Sequence, residues 1–218
     1  MSWYFYGSVK NIMTFIKSFI QKNKVIASLL LFWAILIAIG MVKLHSYSFT
    51  PGPSGNVPVI WPNPLQLNLD KKTPTLIMFA HPHCPCSKSS INELNRIMAQ
   101  TNKLQKTYIL FYKPLNFDRN WLESDLWHKA KAINGIQLLE DENGSIAKLF
   151  GAETSGHVLV YNEQGNLKFS GGITPGRSHE GDSSAKQALI SYLQNKNNEC
   201  TYTDTFGCTL FHNGGGIL

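Results

Sequence analysis

Hydrophobic and polar positions divide the chain into one long apolar run followed by a series of short ones. The long run is Val25–Val42, VIASLLLFWAILIAIGMV, with Lys24 and Lys43 at its ends and no charge inside. As a helix it reaches roughly 27 Å, close to the hydrocarbon thickness of a bilayer. A stretch carrying Pro51, Pro53, Pro58, Pro62 and Pro64 follows, a composition that disfavours regular structure and predicts a fairly stiff spacer. Thr75–Ala80 (TLIMFA) then reads as a strand covered on both faces. Ile91, Leu94, Ile97 and Met98 lie on one face of a helix running from Ser87, a candidate N-cap, to about Gln100. Thr107–Tyr112 predicts a strand, Asn120–Ile133 a helix, Ile136–Leu139 a strand, and Ser145–Phe150 a short helix ended by Gly151. His157–Tyr161 and Leu167–Ser170 flank a hairpin turn at Asn162–Gly165, and a last helix spans about Asp182 to Lys196.

Strands alternating with helices imply a mainly parallel sheet, and the late hairpin gives it an antiparallel edge. The expected fold is a three-layer α/β sandwich with a mixed central sheet, preceded by a transmembrane helix. Segment boundaries follow: a cytoplasmic or interfacial segment at 1–24, an anchor at 25–42, a proline-rich tether at 43–73, the folded domain at 74–198, and a cysteine-containing tail at 199–218.

Charge sharpens the anchor reading and removes a competing one. The chain has a net charge of +6. Residues 1–48 hold five lysines and no acid, which leaves 15 basic residues against all 14 acidic ones beyond. The folded part is therefore close to neutral, and a nucleic-acid partner loses its main support. The segment before the apolar run is long, and Met41–His45 offers no small-residue cleavage site, so the run reads as an uncleaved anchor rather than a signal peptide. Four lysines precede it and one follows. That bias places the N-terminus in the cytoplasm and the folded domain in the periplasm, on a single-pass bacterial inner-membrane protein. Val9, Ile12, Met13, Phe15, Ile16, Phe19 and Ile20 fall at helical spacing; they fit an interfacial helix or an extended start to the anchor.

The candidate chemistry lies in His81-Pro82-His83-Cys84-Pro85-Cys86, between the first strand of the domain and its first helix. A thiol at a helix N-terminus meets the positive end of the helix dipole and free N–H groups, and both favour thiolate. Cys84 is the expected attacking group and Cys86 the thiol that resolves a mixed disulfide, with His83 a possible positive neighbour.

A strand ending in Phe-Ala, then Cys-Pro-Cys heading a helix, resembles the thioredoxin superfamily over roughly Pro74 to Lys196. The membrane-tethered, extracytoplasmic TlpA-like branch is similar, and the RedB-like group is closer still. That likeness rests on HPHCPCS, Ser155-Gly156-His157, FSGGITPGRSHEGD (Phe169–Asp182) and Phe206-Gly207-Cys208. The resemblance implies thiol–disulfide exchange with a periplasmic protein partner, no organic cofactor and no resident metal. Two departures stand out. The family usually spaces its cysteines by two residues, whereas only Pro85 intervenes here, and a ring so small is strained and easily reduced. The family also places a cis-proline where Thr154-Ser155-Gly156-His157 stands. In the family that proline keeps metal off the cysteines, so its absence leaves a second class open. This is a Sco-like copper(I) site built from Cys84, Cys86 and one of His81, His83, His157 or His179. An iron–sulfur cluster on all four cysteines, or a non-catalytic interaction domain, is a further alternative. Cys200 and Cys208 fit a structural disulfide that staples the tail, or a relay serving Cys84 and Cys86.

Overall fold

The computed structural model describes residues 23–64, 66–102, 105–195 and 199–211. It divides into two compact units, Met1–Tyr47 and Ser48–Leu218. Helix α1 (Lys24–Phe49), all but its last two residues in the first unit, is long and apolar enough to cross a membrane, and none of its residues is buried within the protein. The apolar stripe expected at Val9–Ile20 lies outside the described residues.

The second unit is built on a six-stranded sheet. Its strands are β1 (Thr75–Ala80), β2 (Lys106–Lys113), β3 (Ile136–Glu142), β4 (Val158–Tyr161), β5 (Leu167–Gly171) and β6 (Thr201–Tyr202), in the order β3-β2-β1-β4-β5-β6. β1 runs parallel to β2, in register from Thr75 opposite Lys106 to Ala80 opposite Phe111, and β2 runs parallel to β3. β4 is antiparallel to both β1 and β5, and β6 returns parallel to β5. Every residue of β1 is buried, as its unbroken apolar run demands of a central strand.

The alternation of strand side chains feeds two apolar layers. Leu76 and Met78 join Ile109, Phe111, Val158 and Val160 on one face. There they pack under α2 (Pro85–Gln100), α4 (Asp125–Lys131) and α6 (Ser184–Asn195), through Ile91, Leu94, Trp127, Leu189 and Leu193. Ile77 and Phe79 join Tyr108, Leu110, Leu159 and Tyr161 on the other, with α5 (Ser145–Leu149) contributing Ile146 and Ala147. A central βαβ unit, an antiparallel hairpin and a closing helix make this a thioredoxin-like three-layer sandwich with a mixed sheet.

Three local differences from the sequence expectation have physical causes. The helix expected over Asn120–Ile133 is two, α3 (Arg119–Leu122) and α4. Asp118 caps the first by accepting from Trp121 N at 3.2 Å, and the Ser124 hydroxyl caps the second by accepting from Trp127 N at 3.3 Å. β3 extends to Glu142 because it is an edge strand, where Glu140 and Glu142 reach Lys113 at 2.7 and 3.4 Å. The proline-rich tether expected at 43–73 is helical at its start, where α1 runs on to Phe49; beyond that helix it is irregular, and it is not a free spacer. α5 is too short to cover the second face, and this segment completes the cover. Trp61 and Leu67 are buried there, Trp61 standing edge-on to Phe150 and Tyr161 at 5.3 Å each. Its backbone is bonded to the domain through Trp61 N to Gly165 O and Leu167 N to Val59 O.

Candidate functional site

β1 ends at Ala80 and the chain turns through His81–His83 into α2. Cys84, not Ser87, is the N-cap, and Pro85 takes the first helical position, where its fixed φ and missing N–H cost nothing. Ser87 therefore falls inside the first turn. Its buried hydroxyl accepts from His81 N at 3.0 Å and hydrogen-bonds the Ser155 hydroxyl, which also accepts from His81 N at 3.1 Å. The two serines tie the cysteine turn to the loop before β4.

Cys84 and Cys86 are both buried, and Cys208, which the chain brings back from the tail, joins them. The three sulfur atoms lie within 4.8 Å of one another, and Cys84 Sγ and Cys208 Sγ are in hydrogen-bond contact at 3.0 Å. Cys86 Sγ lies 3.4 Å from the Ser178 hydroxyl. The Cys84 thiol is held far below the ordinary range, first by the hydrogen bond from Cys208 and then by that from Cys86. Burial opposes this, and the backbone N–H groups of Ser87 and Cys208 assist it. Cys208, as donor to Cys84, is pushed correspondingly far up. Of this pair, Cys84 is therefore the thiol that ionises first.

The histidines sit elsewhere. His83 Nε2 lies 2.9 Å from Trp121 O, and the causes of the Cys84 shift are thiols and backbone N–H groups rather than His83. His81 stacks on Tyr112. His179 stacks on Phe49, and its Nδ1 lies 2.6 Å from Arg177 O. His157 is buried with Nε2 3.0 Å from the Ser170 hydroxyl, and burial pushes its pKa down to about 4. Among the described residues the cluster contains no histidine; its third soft donor is Cys208.

The tail disulfide expected between Cys200 and Cys208 is not formed. Cys200 packs at the edge of the second apolar layer, whereas Cys208 is drawn into the site. β6 carries the chain alongside β5, and the residues after it then climb over the loop before β4. Gly172 N donates to Asp204 O, Gly52 N to Thr205 O and Ser155 N to Cys208 O. Gly207 passes so close that a Cβ there would lie 2.0 Å from Ser155 O. Phe206-Gly207-Cys208 was the visible signal, since a glycine beside a cysteine marks a close backbone approach; its target 124 residues away was not visible.

The loop at 177–181 closes the far side. The Arg177 guanidinium donates to Gly207 O, and Asn92 and Arg96 of α2 hold Glu180 at 2.6 and 2.8 Å. Beneath them, fully buried Glu93 accepts from Gly181 N at 2.9 Å and pairs with buried Lys186 at 2.8 Å. On the open side, a shallow groove lined by Pro82, His83, Pro85, Lys88, Asp125 and Lys129 reaches Cys84.

No protein-family model matches the chain, and no curated protein is recognisably similar to it. Solved structures do resemble it. An uncharacterized conserved protein from Geobacillus kaustophilus aligns with 16% identity and a TM-score of 0.53, over 77% of this chain and 95% of that one. A hypothetical protein from Sinorhizobium meliloti 1021 aligns with 18% identity and a TM-score of 0.52, over 77% and 97%. A secreted Mycobacterium tuberculosis disulfide oxidoreductase aligns with 16% identity and a TM-score of 0.41, over 57% and 82%. At these identities the likeness is one of fold.

Proposed function

We propose that the unit beyond α1 is a thiol–disulfide oxidoreductase, tethered to the membrane by α1 and facing the periplasm, with a protein thiol or disulfide as its partner. The observation that carries this reading is Cys84 at the N-cap of α2, with two further thiols in its immediate reach. Cys84 is the attacking group. Its thiolate attacks one sulfur of a partner disulfide, forming a mixed disulfide and releasing the other sulfur as a thiolate. Cys86, two residues along the same turn, attacks Cys84 Sγ and frees the second partner thiol, leaving Cys84 and Cys86 oxidised. The reverse sequence oxidises a partner dithiol. The lysine excess before α1 supports the periplasmic orientation. The test is reduction of a protein disulfide by the full chain in detergent with dithiothreitol as reductant. Cys84→Ser is expected to abolish turnover, and a fully active variant would overturn the reading.

The three-sulfur cluster also favours a second reading, a copper(I) carrier. Thiolates are the soft donors a closed-shell monovalent copper ion selects, and Cys84, Cys86 and Cys208 fit that donor set. These residues, and no histidine among those described, would hold the ion. Stoichiometric copper(I) retained through gel filtration and lost in Cys208→Ser, with no disulfide turnover, would favour this reading over exchange.

A further inference from the structure

The segment carrying Cys208 does more than bring a third sulfur to the site. It lies antiparallel to the loop before β4, with Thr209 bridged to Thr154. Ser155 N donates to Cys208 O and Leu210 N donates to Glu153 O, each at 2.8 Å. This is how an extended peptide adds to a free strand edge, its backbone supplying the bonds and one side chain pointing to the reactive group. The docked side chain is a cysteine, and its sulfur is 3.0 Å from Cys84 Sγ. While the segment is in place Cys84 is only 5% exposed, so an incoming disulfide has little access to it. The tail occupies the edge and the sulfur position that a partner chain needs.

We propose that the tail is the domain's resident substrate, with Cys208 a third exchanging thiol that closes the site as a Cys84–Cys208 disulfide in the oxidised protein. The proposal rests on the exchange chemistry above and adds one internal step to it. A partner disulfide is first reduced by Cys84 and Cys86, which give up two electrons and leave it as two thiols. The tail then redocks, and the Cys208 thiolate attacks Cys84 Sγ. The Cys84–Cys86 bond breaks, the Cys84–Cys208 bond forms, and Cys86 leaves as a thiolate that takes up the proton Cys208 lost. No electrons are gained or lost in that step. A bond across one intervening residue is strained, and a bond between two chain segments is free of that constraint, so the exchange runs toward Cys84–Cys208. An arriving dithiol partner must displace the tail, and the substrate class is accordingly an extended segment presenting a cysteine.

The test uses the full chain in detergent, in a Cys200→Ser background so that the tail carries a single thiol. The protein is oxidised with glutathione disulfide, quenched in acid, alkylated and mapped by fragmentation mass spectrometry. The expected map joins Cys84 to Cys208 and finds Cys86 alkylated; adding Cys86→Ser should leave the Cys84–Cys208 link in place. A map showing only Cys84–Cys86, or a Cys86→Ser protein in which Cys208 remains alkylated, would overturn the proposal. In reduced protein, Gly207→Ala, whose Cβ would lie 2.0 Å from Ser155 O and so unseats the segment, should raise the rate at which a bulky maleimide labels Cys84 by about tenfold, because the docked tail limits access. An unchanged rate would show that the tail does not cover the site. An active protein whose sole disulfide is Cys84–Cys86 overturns the tail proposal alone. An inactive one that forms Cys84–Cys208 overturns the exchange reading alone.

Discussion

Glu93→Gln tests how the shell around the cysteines is held. The Glu93 carboxylate is fully buried between α2 and α6, paired with Lys186 and Arg96 and accepting from Gly181 N. Burial pushes its pKa up. The hydrogen bonds from Lys186 and Gly181 and the nearby charges of Lys186 and Arg96 outweigh that and hold it below the ordinary carboxylate value. The stability it contributes is therefore present above that ordinary value and is lost as pH falls through the lower folded one. Replacing it by glutamine keeps the shape and removes the charge, leaving Lys186, itself 4% exposed, with the solvent-facing Asp182 at 3.2 Å as its remaining carboxylate partner among the described residues. Removing one partner of a buried pair costs about 3–5 kcal/mol, which in a unit of this size lowers Tm by about 6–20 °C. Near-ultraviolet circular dichroism of the full chain in detergent at pH 7 measures it. A Glu93→Leu, Lys186→Met double variant, which strands no charge, is expected to lose much less. A loss below about 1 kcal/mol in Glu93→Gln would refute the reasoning, since it would mean water reaches the pair.

His157 gives a second, pH-based expectation. Its folded pKa of about 4 lies below the ordinary 6.5, so the unfolded chain binds the extra proton between those values. Stability should fall by about 3 kcal/mol as pH drops through that window. Denaturant titrations at pH 7 and pH 4.5 should show the drop largely removed in His157→Gln; equal drops in both proteins would count against a buried neutral imidazole. For the orientation of α1, a reporter fused after Leu218 should be active only in a periplasmic form, and activity of a cytoplasmic reporter would reverse the topology.

Much of the architecture was legible because it is written locally. TLIMFA has a single outlet, a strand buried on both faces, and the Ile91, Leu94, Ile97 and Met98 spacing has one too. The position of Cys84 and Cys86 at a helix start was legible for the same reason: a strand, a turn and that helix start lie within a dozen residues. The break at Ser124 is also written locally, in the capping side chains Asp118 and Ser124, although apolar spacing continues through it. The rest depended on contacts that no local pattern carries. Proline content says that residues 50–73 form no helix or strand, and nothing about whether an extended segment packs; only Trp61 and Leu67 hinted at it. The position of Cys208 depends on such contacts most of all. Seven residues separate it from Cys200, and that proximity suggested a staple. The two-residue strand β6 and the bridge at Thr154 instead turn the chain toward a partner 124 residues away. Short pairings of that kind leave almost no trace in hydrophobic periodicity.

The central claim is that Cys84 is a thiolate poised for exchange, and the pH dependence of its alkylation measures that directly. Iodoacetamide is added to the reduced full chain at a series of pH values, and carboxamidomethyl-Cys84 is quantified by mass spectrometry. The hydrogen bonds from Cys208 and Cys86, assisted by the backbone N–H groups of Ser87 and Cys208, hold the Cys84 pKa well below the ordinary thiol range. The rate at pH 6 should therefore stay within about twofold of the rate at pH 8. A rate that falls about tenfold for each pH unit below 8.5, as an unperturbed thiol requires, would contradict the account.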